Sequence, residues 1–210
     1  MNYDITQPAA LISVYYKKGI DRLAQAIHAS GRTIYSTGGT AEHLTKIGIP
    51  IIEVSSLTQF PEMMGGRLKT LHPMVFGPIL GRTSVLGDIK SMQDHKMPLI
   101  DIVVVNLYPF NEEVEKGADT THQNIIEKID IGGPSLIRAA AKNYERVSVI
   151  CQPRHYDVLA ELIEGGAEIP HDLREDWAGH AFDLTSGYDE PIGAYFARRK
   201  LARQEAAASA

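Results

Sequence analysis

Short apolar runs alternate with stretches of helical periodicity along the first 150 or so residues of the chain. "ALISVYY" (10–16) predicts a buried strand, and in "GIDRLAQAIHASG" (19–31) the residues Ile20, Leu23, Ala24 and Ile27 share one helical face before a glycine stop at Gly31. The alternation then repeats. "RTIYS" (32–36) predicts a second strand, "TAEHLTKIG" (40–48) a short helix capped by Thr40 and ended by Gly48, and "IPIIEVS" (49–55) a third strand. "IDIVVVNLYPF" (100–110) carries an unbroken apolar run up to Asn106, the signature of a strand covered on both faces, and "RVSVICQ" (146–152) predicts another.

Strands alternating with helices imply an α/β fold: a parallel, Rossmann-like sheet of about five strands flanked by helices. After Pro153 the pattern is helical throughout, in "RHYDVLAELIEGG" and then in the long segment from Pro170 to Gln204. A single domain over residues 1–200 is expected, with the core sheet at about 9–152, a helical extension at about 153–200, and 201–210 as a frayed tail or linker stub. Ligands of open parallel sheets bind at the carboxyl ends of the strands. The polar segments "YYKKG", "STGGT" and "NLYPF" therefore carry the candidate chemistry, and all three can face one crevice.

Composition narrows the partner. The formal charge of -5 over 210 residues disfavours nucleic acid as a ligand, while local basic clusters leave room for a small anion. A lone cysteine, Cys151, excludes an internal disulfide framework and a cysteine-based zinc cage, and fits a reducing compartment. "MNYDITQPAA" has no basic region followed by an apolar core, and no apolar run approaches the roughly 20 residues that span a bilayer. The expectation is a cytoplasmic protein with no membrane partner.

Three clusters stand out. "STGGT" (36–40) puts two glycines at a strand-to-helix junction, where backbone amides and the helix dipole favour an anion, although a tight turn with an ordinary threonine cap has the same local sequence. Lys17 and Lys18 leave the neighbouring strand and add charge there. In "GGRLKTLHP" (65–73), Arg67 and Lys69 share a side if the segment is extended, a fork and a point charge suited to phosphate; a basic surface loop is the plain alternative, and His72 reads as a structural hydrogen-bonder. In "IDIGGPSLIRAAAKN" (129–143), Gly132 and Gly133 precede Pro134 at a helix start. Asp130 sits outside that positive end, where its charged form is expected to be stabilised, as a base or as an anchor. Lys142 lies roughly 12 Å along an unbroken helix from Pro134, so meeting Asp130 requires the helix to end early or the lysine to reach back.

Taken in order, "STGGT", "FPEMMGGRLKTLHP", "VVVNLYPF", "IDIGGPSLIRAAAKN" and the late "HAFDLTSGYDEPIGAYF" resemble the IMP cyclohydrolase domain of the bifunctional purine-biosynthesis enzyme, over about Ala9 to Arg198. The resemblance implies a methylglyoxal-synthase-like fold. It also implies closure of the last purine ring, in which the carboxamide nitrogen of a formylated aminoimidazole carboxamide ribonucleotide attacks the formyl carbon and water leaves, with no metal and no cofactor. By this resemblance Lys142 is the proton donor or acceptor, with Lys69, Tyr108 and Asp130 as supporting catalytic groups. Substrate binding falls to Tyr15, Tyr16, Lys17, Thr37, Gly38, Gly39 and Thr40, to Arg67 and Thr70, to Asn106 and Leu107 lining the base pocket, and to Ile131 and Gly132. Relatives are commonly dimeric, which implies a homodimer; the formyltransferase region that normally follows is absent from these residues, so either a separate formyltransferase supplies the substrate or these residues are one domain of a longer protein. Tyr16 stands where the family has aspartate, Lys18 where it has threonine, and Phe76 where histidine is common. These departures permit a related heterocyclic ribonucleotide as substrate. They also keep in play a non-catalytic effector-binding domain of the same fold and a methylglyoxal-synthase-type lyase, though "MMGGRLKT" stands where the lyases carry an aspartate-bearing glycine segment.

Overall fold

In the computed structural model, which describes residues 7–209, the strands are β1 (Pro8–Ser13), β2 (Thr33–Ser36), β3 (Ile52–Glu53), β4 (Leu99–Val105) and β5 (Ser148–Ile150). All pair in parallel, in the order β3-β2-β1-β4-β5. Met1 to Thr6, most of the stretch read above for a leader segment, lies outside the described residues. The sheet winds outward in both directions from β1, so the chain's direction of travel reverses between β1 and β4, where a crevice opens beyond the strand ends. The central pair is long and in register from Ala10↔Ile102 to Ser13↔Val105. Ile102 to Val105 are all buried, which is why β4 needs no polar alternation.

The third strand is shorter than its apolar run. Only Ile52 and Glu53 pair, with Tyr35 and Ser36, and the chain turns helical at Val54. Pro50 has no N–H to offer a ladder, and this edge has one neighbour. The first helices, α1 (Ile20–Ala29) and α2 (Gly38–Lys46), follow their strands as expected, and α3 (Val54–Thr58) follows β3. Thr40 is not the cap of α2, because the helix begins two residues earlier with Thr37 at its N-cap. Its buried hydroxyl instead donates to the Val14 carbonyl (2.9 Å) and accepts from the Val14 amide (3.0 Å), stitching α2 to the end of β1.

Between β3 and β4 lie α4 (Pro73–Leu80) and α5 (Leu86–Asp94), and between β4 and β5 lie α6 (Phe110–Glu115), α7 (His122–Ile126) and α8 (Gly132–Lys142). His72 caps α4, its Nδ1 accepting the Met74 amide at 3.1 Å, and Phe76 packs against the core. The half-buried Arg146 reaches four carbonyls, those of Pro78, Ile79, Gly81 and Ile100, and ties α4 to β4. Burial holds its guanidinium down at about 10, against the opposing pull of Asp101.

After β5 come α9 (Tyr156–Glu164), which packs on α1, and α10 (His171–Ala208), which packs on α8 and β5 through Trp177, Ala178 and Ala181. The stretch 201–208 is helical with every side chain exposed rather than frayed, since its alanines and Glu205 carry high helix propensity. Among the described residues no helix is long and apolar enough to cross a membrane.

Candidate functional site

The crevice holds a cavity of about 560 Å³. Five segments line it: the exit of β1 (Ser13 to Tyr15, and Lys17), the β2–α2 turn (Thr37 to Thr40), the loop with Gly65 to Leu71, the exit of β4, and the stretch from Ile126 to Gly133. The three polar strand ends do meet in one place.

The turn after β2 leaves backbone amides free at a helix start. Gly38 and Gly39 occupy the first two positions of α2, where amides have no intrahelical acceptor, and Thr37 at the N-cap makes no side-chain bond to the helix. Two lysines bracket them. A Cβ built on Gly39 would stand 3.8 Å from the Lys17 amine, and one built on Gly38 would stand 3.3 Å from the Lys69 amine. Lys17 is held in place by the carbonyls of Val14 (2.9 Å) and Tyr15 (3.0 Å), and desolvation lowers its pKa although Glu42 opposes this. Gly38 (φ 48°) and Gly66 (φ 88°) both adopt left-handed backbone, and a Cβ on Gly66 would come within 2.7 Å of Lys69 Cε, so the second cluster needs its glycine both for conformation and for space.

Loop 65–71 is not extended. Arg67 is helical at the close of a short turn, and Met63 and Leu68 bridge across it. Arg67 pairs with Glu127 and Lys69 with Glu62 (3.3 Å), so each cation already has a carboxylate partner that an anionic ligand would displace. Thr70 lies on the opposite wall, its Oγ1 2.9 Å from where a Cβ of Gly132 would be.

Asp130 occupies the far side of the cavity. Its Oδ1 accepts the Gly133 amide at 2.8 Å, and backbone amides of Tyr108 and Gly132 also point at the carboxylate. A Cβ on Gly133 would fall 2.4 Å from Oδ2, which makes glycine obligatory there. Despite these donors and the charge of Lys69, burial outweighs them and raises the carboxyl above the ordinary aspartate value. The stabilised charged form expected from the helix start is therefore reversed. A desolvated carboxylate of this kind is a better base.

Aromatic side chains close the cavity. Tyr15 and Tyr108 meet edge to face with centroids 5.3 Å apart, and the Lys128 amine stands 5.5 Å over the Tyr15 ring. Asn106 braces this wall: its Oδ1 accepts the amides of Tyr15 (2.6 Å) and Tyr16 (3.1 Å), and its Nδ2 donates to the Tyr16 carbonyl (3.0 Å) and to the Tyr156 hydroxyl (3.3 Å). Its amide is saturated within the protein, so it shapes the wall rather than reading a ligand.

Three expected site residues lie elsewhere. Leu107 is buried beneath Gly133, where its Cδ2 would be 2.8 Å from an added Cβ, and is not on the cavity surface. Tyr16 turns outward, its hydroxyl donating to Glu112 and pushed up to about 12 by burial and by that carboxylate. Lys142 is exposed in the last turn of α8, which runs unbroken from Gly132, roughly 15 Å along the helix from the cavity end. At a helix C-terminus its charge is favourable in itself. The remaining expected residues, Lys69, Tyr108, Asp130, Tyr15, Lys17, Thr37 to Thr40, Arg67, Thr70, Asn106, Ile131 and Gly132, all line the cavity. Lys128 and Glu62 were missed; the glycine pair in "EMMGGRLK" is the one sequence signal of Glu62's close approach, and Lys128 has none.

A parallel sheet with a glycine turn at its switch point, two lysines at a helix N-terminus and a half-buried carboxylate opposite defines an α/β domain with a small-molecule-sized cavity at its strand ends. The chain belongs to the MGS-like domain family, whose model matches residues 19–135. A second model, AICARFT/IMPCHase bienzyme, matches residues 140–210. Similar proteins include the bifunctional purine biosynthesis protein PurH of Rippkaea orientalis, 47% identical over 189 residues, and that of Aquifex aeolicus, 48% identical over 187 residues; each alignment covers 89% of this chain. The chain spans 36% of the length of these two relatives. A solved structure titled "Crystal structure of ForH" is 31% identical, superposes with a TM-score of 0.81, and matches over 91% of this chain and 97% of its own.

Proposed function

We propose that this chain is an IMP cyclohydrolase, converting 5-formamidoimidazole-4-carboxamide ribonucleotide to IMP with loss of water. The observation that carries the reading is that one cavity holds a lysine-flanked glycine turn at one end and a desolvated carboxylate at the other, with Lys69 electrostatically coupled to both. The likeness to proteins named for purine biosynthesis supplies the substrate class.

In this reading the 5′-phosphate takes the Gly38 and Gly39 amides and the Lys17 amine, and substrate entry releases Lys69 from Glu62 so that its amine is free for the formyl oxygen. The heterocycle lies against Tyr15 and Tyr108. Binding folds the carboxamide onto the formyl group, which turns a floppy encounter into a near-attack geometry. The carboxamide nitrogen adds to the formyl carbon, Asp130 takes a proton from that nitrogen, and Lys69 with the Tyr108 hydroxyl holds the developing alkoxide. A proton from these groups converts the alkoxide to a hydroxyl, the carbon–oxygen bond then breaks as a second proton reaches that oxygen and water leaves, and the N–H proton of the former formamide nitrogen is lost as the ring's carbon–nitrogen double bond forms. No step within a single chain is assigned to Lys142, which stands ten residues along α8 from Gly132 and does not line the cavity. A homodimer in the cytoplasm goes with this reading.

The test is direct: the protein is incubated with the formylated ribonucleotide and IMP formation is followed by ultraviolet absorbance. Acceleration over the spontaneous cyclisation supports the assignment. Binding of the ribonucleotide without turnover would instead mark a sensing domain, and conversion of a triose phosphate a lyase.

A further inference from the structure

The long helix α10 belongs to the fold's outer layer, yet one of its side chains reaches the cavity's working loop. The Tyr188 hydroxyl accepts the Asp130 amide at 2.9 Å and donates to the Lys128 carbonyl at 3.0 Å. These bonds close the backbone on both sides of residue 129. The Tyr188 ring meanwhile packs between the main core and a second apolar cluster formed by Phe110, Ile125 and Tyr195. The ring anchors the helix, and the hydroxyl makes the hydrogen bonds to the loop.

Asp130 is thereby held from two directions. Its carboxylate is fixed by the Gly133 amide and by the tight approach that only glycine permits, and its backbone is fixed by α10. We propose that Tyr188 is a positioning residue for Asp130, so that the C-terminal helix sets where the carboxylate stands against the substrate. This rests on the reading of Asp130 as the base. Burial keeps the phenol protonated, pushed up to about 12, so both hydrogen bonds persist across the working pH range.

The chemistry explains why the hydroxyl matters beyond packing. Three backbone amides pull the Asp130 carboxyl down against the desolvation that raises it. If the 128–130 turn loosens, that alignment is lost while burial remains, and the carboxyl rises further. A displacement of the order of 1 Å at a catalytic group costs up to about 100-fold in rate. The phosphate cradle, by contrast, sits on other loops and is not disturbed.

The test compares wild type with Tyr188→Phe, Asp130→Asn and, as a control, Tyr195→Phe. The control removes a different α10 hydroxyl, one bonded to His122 Nδ1 at 2.7 Å and not to residues 128–130. Tyr188→Phe is expected to lower kcat by about 10- to 100-fold with KM within about twofold, and to move the acid limb of the pH–rate profile upward. Tyr195→Phe is expected to lower Tm without moving kcat or the profile. Amide hydrogen exchange at Asp130 gives a second readout, with protection lost only in Tyr188→Phe; retained protection overturns the inference even where activity is hard to measure. If Asp130→Asn is inactive while Tyr188→Phe keeps wild-type kcat and pH profile, the role of Tyr188 is refuted. If Asp130→Asn itself turns over normally, it is the assignment of the base that fails.

Discussion

Gly39→Ala separates the phosphate cradle from an ordinary helix cap, because it should move stability and binding in opposite directions. Gly39 is the second residue of α2 and has no left-handed backbone requirement, and its added Cβ would meet nothing closer than the Lys17 amine at 3.8 Å, an ordinary contact. Restricting the unfolded chain should therefore stabilise the protein by about 0.4–1 kcal/mol. The same methyl stands between the Lys17 amine and the amides of the turn, the space a bridging phosphate oxygen would use. Loss of one charge-assisted hydrogen bond costs about 1.5–3 kcal/mol, which is roughly 10- to 150-fold in Kd at 1.4 kcal/mol per decade. Calorimetric titration with IMP gives the affinity, and a thermal melt of the free protein gives the stability. Gly38→Ala is the contrast: at φ 48°, with its Cβ 3.3 Å from the Lys69 amine, it should lose both stability and affinity. Wild-type affinity for IMP in a well-folded Gly39→Ala protein would refute the cradle.

Asp130→Asn should abolish turnover yet raise stability at neutral pH. The folded-state pKa of Asp130 lies above its unfolded value, so its contribution is fully present below about pH 4 and is lost as pH rises through the folded pKa. Asparagine keeps the acceptor for the Gly133 amide without the buried charge, so melts at pH 7.5 should show a higher Tm and melts near pH 3 no difference; a lower Tm at pH 7.5 contradicts the burial argument. Arg146→Ala strips four carbonyls of their donor and should cost about 3 kcal/mol or more in urea unfolding; a loss below about 1 kcal/mol would mean that water replaces the guanidinium freely. Lys142→Met should leave the Kd for IMP within about twofold, since its backbone stands roughly 15 Å along α8 from Gly132; a tenfold weaker complex would place Lys142 in the site after all.

The alternation of strand and helix, the parallel sheet and the three strand-end segments were legible because each rests on short-range periodicity and on glycine at turn positions. Where the reading slipped, a neighbour outside the window decided the matter. Thr40 looks like a cap, but Val14 claims its hydroxyl; "IPIIEVS" looks like a full strand, but an edge with one partner pairs only two of its residues. Tyr16 and Phe76, the departures that suggested an altered ligand site, face Glu112 and the core instead.

By itself, the sequence determined the order of elements, the glycines at Gly38, Gly66 and Gly133, and the residue types able to hold a phosphate and move a proton. The tertiary structure decided which of them meet. It brought Lys69 to Gly38 across the cavity and set Lys142 at the far end of a straight helix. It desolvated the half-buried Asp130 enough to outweigh three amide donors, and it carried a tyrosine from α10 back to the loop that holds that aspartate. Spacing along a chain fixes which face of an element a residue occupies; distances between elements, and the dielectric around a charge, exist only once the layers have packed.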